Sequence, residues 1–275
     1  MRFVGYGDLG QRWVGAFKDG AIAPLATAAD FYSDLKHWMA VAETAEAGLA
    51  PGELQLAPAV WEGARVLCLG LNYRKHAAEG GFDIPPYPAM FGRWTRSLVT
   101  DGDVVPALEE RLDWEAELAL VVGDKLAAAD EETALAGVFG YACFNDISAR
   151  TYQRHTAQWT TGKNMDRSGV MGPVVTKDEV GDPASGLNIQ CRLNGQVMQN
   201  ACTSDMIFPV GRILSYLSEI CTLYPGDVVV TGTPQGVGHA RNPPLFMKPG
   251  DVVEVEIEKI GVVRNPIVDG SRRDG

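Results

Sequence analysis

The chain has 275 residues, of which 46% are hydrophobic and 21% are charged, a composition typical of a globular protein with one large domain or a large and a small one. Asp and Glu number 35 against 24 Lys and Arg, which gives a formal net charge of -11. This argues against nucleic acid or an anionic membrane as a partner, because both require a basic protein face. A small anionic substrate stays compatible, since a bound cation can override the global field.

The cysteines and the first residues of the chain indicate its cellular compartment. The five cysteines are odd in number and no two form a CxxC pair, so we expect reduced, mostly buried thiols and no disulfide framework. The opening residues lack the basic-then-apolar layout of a signal peptide. No apolar run approaches the ~18 residues of a membrane span. The sequence therefore predicts a cytoplasmic protein.

Residues 1–60 are predicted to form a small N-terminal α/β domain. Three apolar segments, RFVGYG, WVGAF and AIAPL, predict short strands, with a turn at residues 18–20. Residues 29–47 predict a helix with a rough apolar face and Asp30 as its N-cap. The Gly- and Pro-containing stretch 48–52 interrupts this pattern, and a domain boundary is expected near residue 60.

Residues 61–275 are predicted to form a larger domain that is mainly β. Strands are expected at 65–71, 115–123, 138–145, 187–193, 196–200, 227–232 and 252–259, and helices at 130–137 and 209–221. Asn194-Gly195 predicts a two-residue hairpin turn, and residues 72–100 predict a long lid or binding loop. Since strands and helices do not alternate regularly, we expect an α+β fold, mainly β, with a mixed β-roll or sandwich rather than a doubly wound sheet.

A carboxylate cluster in the segment 113–123 is the most informative feature. Alternate residues of a strand share a face, so Asp113, Glu115 and Glu117 are predicted to point the same way. Like charges in a buried strand cannot all stay ionised unaided, and a hard divalent cation is the natural partner for their oxygens. Asp146, at the end of another apolar strand, is a further candidate ligand. The alternative is an edge strand with a solvated acidic face; zinc is disfavoured because no His pair has zinc spacing.

Five ordered motifs carry a resemblance to a known family. They are GLNYRKHAAE (70–79), DWEAEL (113–118), NDISAR (145–150), GKNMD (162–166), and PGD (225–227) through TGTPQGVG (231–238). Through them the chain resembles the fumarylacetoacetate hydrolase family from about residue 65 to 268.

The resemblance implies a β-roll catalytic domain that holds one Mg²⁺ or Mn²⁺ ion, with Ca²⁺ as a further candidate, usually in a homodimer. By match to the motifs, the metal ligands are Glu115, Glu117 and Asp146. Asp113 has no ligand role by match and is expected behind the ligands.

The same match assigns further residues of an active site. His76 and Glu79 match a water-activating pair on a mobile loop, and Lys163 matches an active-site lysine. Residues near the substrate or the metal are, by match, Arg150, Gln153 and Thr233. The two other histidines of this half of the chain, His155 and His239, are expected at the surface or behind the site.

Two departures from the family pattern concern the substrate. Many small members carry Phe-x-Lys where this chain has FGRWTR at 91–96, and Lys-Ser-Phe-Asp where it has KNMD at 163–166. We predict that Arg93 or Arg96 clamps a carboxylate or other polar group at the far end of the substrate, because a guanidinium binds carboxylates in a bidentate manner.

The resemblance implies chemistry through an enolate of a small 2-oxo acid or diketo acid. The first hypothesis is a hydrolase that cleaves a C–C bond of an acylpyruvate or fumarylpyruvate, as in aromatic catabolism, because His76 and Glu79 suit water activation. The alternative is an isomerase or decarboxylase of a 2-oxo or 2-hydroxymuconate-type acid on the same site. A third reading, a catalytically silent metal-binding domain, is disfavoured by the presence of His76, Glu79 and Lys163.

Overall fold

The structure of the protein is a computed structural model that describes residues 1–7, 10–81 and 83–270. Its strands are β1 (Arg2–Tyr6), β2 (Trp13–Lys18), β3 (Ala21–Thr27), β4 (Leu56–Ala57), β5 (Val66–Gly70), β6 (Ala89–Arg93), β7 (Leu98–Val99), β8 (Val105–Ala107), β9 (Leu112–Asp113), β10 (Ala116–Val122), β11 (Val138–Asp146), β12 (Ser148–Ala149), β13 (Gly169–Met171), β14 (Val174–Thr176), β15 (Asn188–Leu193), β16 (Gln196–Cys202), β17 (Val228–Val230), β18 (Val252–Ile257) and β19 (Gly261–Asp269).

The helices are mostly short and lie between the strands. They are α1 (Ala28–Ser33), α2 (Leu35–Thr44), α3 (Arg74–Glu79), α4 (Glu131–Ala136), α5 (Arg150–Gln153), α6 (Thr160–Lys163), α7 (Lys177–Val180) and α8 (Val210–Ile220). Single 3₁₀ turns cover Pro51–Glu53, Thr95–Ser97, Pro183–Ser185, Thr203–Asp205 and Gly238–Ala240. None of the helices within the described ranges has the length and apolar character needed to cross a membrane.

Two open sheets build the fold. The larger runs in the order β3-β2-β1-β14-β11-β10-β17-β5-β6, with β13 joined to β11 and β7, and β4 joined to β1. The smaller runs β16-β15-β18-β19-β8, and β9 pairs with β12 separately. Most neighbours are antiparallel, whereas β5 with β17, β7 with β13 and β8 with β19 are parallel pairs. The predicted mainly β, mixed α+β fold is confirmed.

The central strands β10 and β11 are buried along their whole length, because the sheet is covered on both faces. On β10, Leu118 and Leu120 pack into the core shared with α8 and the smaller sheet. Ala119 and Val121 face the second core, which the N-terminal strands and helices close. Alternating side chains of one strand therefore supply two hydrophobic cores, and the odd-numbered face is the one that carries Glu117.

Two local predictions are confirmed by backbone geometry and packing. Asn194 and Gly195 have φ of +52° and +79°, the paired positive values that a tight hairpin turn needs. Helix α8 buries Ile213, Leu214 and Leu217 on one side, as the apolar spacing predicted, whereas Ile220, predicted on the same side, is exposed because it lies in the last turn of the helix.

The N-terminal region differs from its prediction in detail. The single helix predicted over 29–47 is two helices, since Asp34 leaves helical geometry and caps α2 by accepting a hydrogen bond from the His37 amide. Thr27, rather than Asp30, is the N-cap of α1. Strand β1 pairs with β14, so the N-terminal strands extend the larger sheet. The division of the chain near residue 60 stays a prediction.

Residues 72–100 are more regular than the predicted loop. Helix α3 lies at the beginning of the segment, and β6 pairs with β5 as the edge strand of the larger sheet; residue 82 lies outside the described residues. Strand β19 was not predicted because polar residues interrupt its apolar pattern. One of them, Asn265, is buried and donates side-chain hydrogen bonds to the carbonyls of Thr100 and Asp103.

Candidate active site

Three buried carboxylates converge where β10 begins and β11 ends. Ala116 lies opposite Asn145 in the antiparallel pair, and the Asp146 amide donates to the Glu115 carbonyl at 2.9 Å. Glu115, Glu117 and Asp146 each place a carboxylate oxygen within 4.8 Å of the other two. We call this group the acidic triad.

Asp113 is separated from the acidic triad, contrary to the face-sharing expected from strand alternation. It belongs to β9, which pairs with β12, because the chain leaves strand geometry at Trp114 and Glu115 before β10 begins. Its buried carboxylate accepts hydrogen bonds from the amides of Gly238 at 2.7 Å and His239 at 3.0 Å. Burial alone would raise the pKa of Asp113, but Arg150 and the hydrogen bonds from His239 outweigh it and lower the pKa.

Fixed cations neutralise part of the acidic triad. The Lys163 ammonium, itself only 2% exposed, lies 2.7 Å from Glu115 Oε2 and 2.6 Å from Asp146 Oδ2. Arg150 Nη1 lies 2.7 Å from Glu115 Oε1. Desolvation would raise the pKa of Glu115, but the charges of Lys163 and Arg150 dominate and lower it. Desolvation alone would lower the pKa of Lys163, but the charges of the two carboxylates outweigh it and raise the pKa.

Glu117 is the member of the acidic triad that the protein leaves incompletely paired. Its Oε2 accepts a hydrogen bond from the Gly232 amide at 2.7 Å, whereas its buried Oε1 has no hydrogen-bond partner within the described residues. Burial, with the charges of Asp146 and Glu115, raises the pKa of Glu117 well above its ordinary value. A buried unpaired carboxylate oxygen is costly. A divalent cation would pair with it, so this all-oxygen donor set fits Mg²⁺ or Mn²⁺.

A histidine–carboxylate pair lies on α3. His76 Nδ1 is 3.3 Å from Glu79 Oε2, three residues further along the helix, which is the spacing that places two side chains on one helix face. The Gly236 amide donates to both carboxylate oxygens of Glu79 at 3.1 Å. Burial would raise the pKa of Glu79, but the bonds from His76 and Gly236 outweigh it and lower the pKa.

One cavity of about 450 Å³ brings most of the predicted site residues together. Glu115 is the member of the acidic triad that reaches its wall. The other predicted residues at the wall are His76, Glu79, Arg150, Gln153, Lys163 and Thr233. Thr233 is fixed there, since its hydroxyl donates to the Ala116 carbonyl at 3.0 Å and accepts from Gln199 Nε2 at 2.9 Å.

Arg93 and Arg96 are not brought to this cavity. Arg93 is 3% exposed, and its guanidinium binds the Asp146 carboxylate, the Ser168 hydroxyl and the Ile147 carbonyl. Arg96 is exposed on the 3₁₀ turn that follows β6. Arg93 is therefore positioned to hold Asp146 in place, and the predicted contact of either arginine with the far end of a substrate stays a prediction.

Among the cavity residues that the sequence did not assign to the site are Arg154, Trp159 and His239. His239 follows the TGTPQGVG motif directly, and this adjacency is the signal that could have found it. The motif must approach the core closely, because a Cβ on Gly238 would lie 2.0 Å from the Leu245 carbonyl and 2.6 Å from Asp113 Oδ1. That approach carries His239 to the cavity wall.

Comparison with known proteins agrees with this geometry. Residues 65–268 match the family model for the C-terminal domain of fumarylacetoacetate (FAA) hydrolase. A human mitochondrial oxaloacetate tautomerase is 42% identical over 218 residues, which are 78% of this chain and 69% of that protein.

Two solved structures are also similar to the chain. The 2-hydroxyhepta-2,4-diene-1,7-dioate isomerase of Mycobacterium marinum has a TM-score of 0.76 at 28% identity, over 99% of this chain and 100% of that one. The fumarylpyruvate hydrolase of Pseudomonas aeruginosa, in complex with Mn²⁺ and pyruvate, has a TM-score of 0.69 at 30% identity, over 78% of this chain and 92% of that one. On these grounds the chain belongs to the fumarylacetoacetate hydrolase family.

Proposed function

We propose that this protein is a metal-dependent enzyme that interconverts the keto and enol forms of a small 2-oxo acid of the oxaloacetate type. The observation that carries the proposal is a single cavity lined by Glu115 of the acidic triad, by the His76–Glu79 pair and by Lys163. The relative at 42% identity is named as an oxaloacetate tautomerase, whereas the related hydrolase structure is 30% identical. The higher identity to the tautomerase supports the isomerase alternative over the C–C hydrolase that the sequence favoured.

Glu115, Glu117 and Asp146 would hold the metal, Mg²⁺ or Mn²⁺ in preference to Ca²⁺. Bound there, the ion would supply a Lewis acid that stabilises the enolate of a 2-oxo acid. Lys163 keeps its proton, because its two carboxylate partners raise its pKa. It therefore contributes a fixed positive charge beside the carboxylate oxygens of Glu115 and Asp146.

The proton transfer is assigned to His76. Its Nδ1 is engaged by Glu79 at 3.3 Å, which leaves Nε2 to take a proton from the carbon next to the ketone and to deliver it to the ketone oxygen, the reverse transfer giving the keto form. Glu79 orients the imidazole and balances the charge that the ring acquires, while the Gly236 amide holds Glu79. Arg150 and Gln153, joined by a 2.9 Å hydrogen bond, would bind the acid end of the substrate.

Hydrolysis of a C–C bond in an acylpyruvate or fumarylpyruvate is the second candidate. The observation that favours it is again the His76–Glu79 pair, which has the arrangement of a general base and its orienting carboxylate and could activate a water. The enolate would then be the leaving group. Decarboxylation of an oxaloacetate-type acid would form the same enolate and belongs with this alternative.

Assembly and location are further proposals that the family membership supports. We expect a homodimer in solution, which size-exclusion chromatography with light scattering measures directly. The sequence predicts a cytoplasmic protein, whereas the human relative is named as mitochondrial. Microscopy of the tagged protein in its own cells would distinguish the two locations.

The experiment is a substrate panel with the purified protein and Mn²⁺ or Mg²⁺. The panel contains enolic oxaloacetate, an acylpyruvate, fumarylpyruvate and a 2-hydroxymuconate, and the products are identified by chromatography and NMR. We expect fast ketonisation of enolic oxaloacetate, its loss in EDTA and its recovery on adding metal back. Faster cleavage of a diketo acid than ketonisation would favour the hydrolase, and full turnover by exhaustively chelated protein would exclude the metal-dependent mechanism.

A further inference from the structure

We propose that His239 and Arg154 bind the far carboxylate of the substrate and so give the site its preference for dicarboxylates. The inference rests on the proposed function, because it takes a 2-oxo acid as the ligand of the metal ion that the acidic triad would hold. It assigns the recognition of the opposite end of that ligand to two residues that no family motif singled out.

His239 is held at the cavity wall by a buried carboxylate. Its Nδ1 lies 3.1 Å from Asp113 Oδ2, and its amide donates to the same oxygen at 3.0 Å. Asp113 is fully buried, while the His239 side chain is 22% exposed. Because an ionised carboxylate only accepts hydrogen bonds, Nδ1 carries the proton of this contact. The nitrogen on the opposite side of the ring, Nε2, is left to meet a ligand.

The position of His239 relative to the acidic triad follows from a shared guanidinium. Arg150 donates from Nε to Asp113 Oδ2 at 2.8 Å, the oxygen that also contacts His239. Its Nη1 lies 2.7 Å from Glu115 Oε1. One arginine side chain therefore separates the acidic triad from His239. A small acid bound at the acidic triad would extend along Arg150 and present its far end to the imidazole.

Besides His239, Arg154 is a second basic side chain at the cavity wall. It follows α5 directly, and α5 is fixed to the wall by the 2.9 Å hydrogen bond from Arg150 to Gln153. The Arg154 side chain is exposed at the cavity and makes no ion pair within the described residues. Its charge is thus available to a ligand in a chain whose net charge is -11. Charge-assisted bonds from a guanidinium and an imidazolium suit a carboxylate, since both groups supply N–H donors.

The carboxylate of Glu79, which also lines the cavity, does not occupy the donors of His239 and Arg154. Glu79 is already bound by His76 and by the Gly236 amide. When both ring nitrogens of His239 carry a proton, the ring offers one N–H group to Asp113 and one to the ligand.

The test measures binding of two matched, unreactive ligands by calorimetry in the presence of Mn²⁺. L-Malate and 2-hydroxybutanoate share the 2-hydroxy acid end and differ in a far carboxylate against a methyl group. We expect the wild-type protein to bind malate more tightly. Arg154→Gln and His239→Gln should each weaken malate binding about 10-fold, the usual scale for losing one charge-assisted bond, with 2-hydroxybutanoate changed less than 2-fold. Arg154→Lys should retain most of the preference because it keeps the charge.

Arg212→Gln is the matched control, since this arginine is exposed on α8 and does not border the cavity. Oxalate, which has no far end, checks that each variant keeps an intact metal site. Equal losses for malate and 2-hydroxybutanoate, a wild-type protein without preference, or the same loss in Arg212→Gln would overturn the inference. Because neither ligand reacts, a protein that prefers malate but fails to ketonise oxaloacetate would refute the proposed function and leave this inference standing.

Discussion

At the scale of single residues, Glu117 combines burial, like-charged neighbours and an oxygen without a partner. The other two carboxylates of the acidic triad have cationic partners from the protein, Lys163 among them. The unpaired oxygen of Glu117 is therefore the point at which the protein by itself leaves the site incomplete.

We predict that Glu117→Gln weakens Mn²⁺ binding by at least about 100-fold, because a neutral amide is a poorer ligand for a hard cation and even outer-shell changes cost about 10–100-fold. Isothermal calorimetry on the metal-free protein measures this directly. Glu132→Gln, an exposed position on α4, is the matched control and should bind Mn²⁺ like the wild type. Unchanged affinity in Glu117→Gln would place the metal elsewhere.

His76 is predicted to act on the substrate without touching the metal. His76→Ala should therefore keep its Mn²⁺ affinity and its oxalate affinity, while kcat for ketonisation falls about 10²–10⁴-fold, the usual contribution of a general base. Single-turnover kinetics on metal-saturated protein provides the measurement, with His37→Ala, an exposed histidine on α2, as the control. A wild-type rate in His76→Ala would assign proton transfer to another group.

At the scale of elements, the position of α3 depends on the residue that connects β5 to it. Asn72 is fully buried. Its side-chain amide donates to the carbonyls of Phe208 and Thr231 at 3.1 and 2.8 Å and accepts from the Phe208 amide at 2.8 Å. These bonds join the beginning of the His76 helix to the end of β17, which lies beside the acidic triad.

Asn72→Asp should lower the free energy of unfolding by about 3 kcal/mol. A carboxylate cannot donate to the two carbonyls and would itself be buried without a cation, and each such loss costs about 1–3 kcal/mol. Urea denaturation followed by circular dichroism gives the value. Asn200→Asp, the same change at an exposed position of β16, should stay within about 0.5 kcal/mol of the wild type. A similar small effect in Asn72→Asp would contradict the assigned role.

At the scale of the whole molecule, the N-terminal segment and the central strands share one core. Phe31 on α1 is fully buried, with its ring centroid 5.2 Å from that of Phe3 on β1 and 5.9 Å from that of Phe139 on β11. Strand β1 is also hydrogen-bonded to β14. The two regions that the sequence divides near residue 60 should therefore unfold together.

We predict that Phe31→Ala destabilises the whole protein by about 3–5 kcal/mol, the range for removing a buried aromatic ring. Denaturation followed by tryptophan fluorescence and by far-ultraviolet circular dichroism should give coincident curves, shifted by the same amount. Ile220→Ala, at a position that is 88% exposed, serves as the control. Separate transitions, with only the first shifted by Phe31→Ala, would indicate an independent N-terminal domain.

Local chemistry in the sequence was sufficient for some of these features. The side-chain alternation of a strand placed Glu115 and Glu117 on one face, and Asn194-Gly195 predicted a turn that needs two positive φ values, because both rules depend only on neighbouring residues. The apolar spacing of α8 was equally local. The family motifs then related Asp146, His76 and Lys163 to the same site, although they could not place these side chains relative to one another.

Only the tertiary structure decided which side chains meet, because those contacts join distant parts of the chain. Asp113 leaves the acidic triad since the chain departs from strand geometry between β9 and β10, and it is joined instead by His239, 126 residues away. Arg93 turns inward to Asp146, 53 residues away, where its charge offsets that of a buried carboxylate. Strand alternation and helical spacing relate only residues that are near in sequence, so they cannot predict such pairings. The packing of the two sheets and the neutralisation of buried charge determine them.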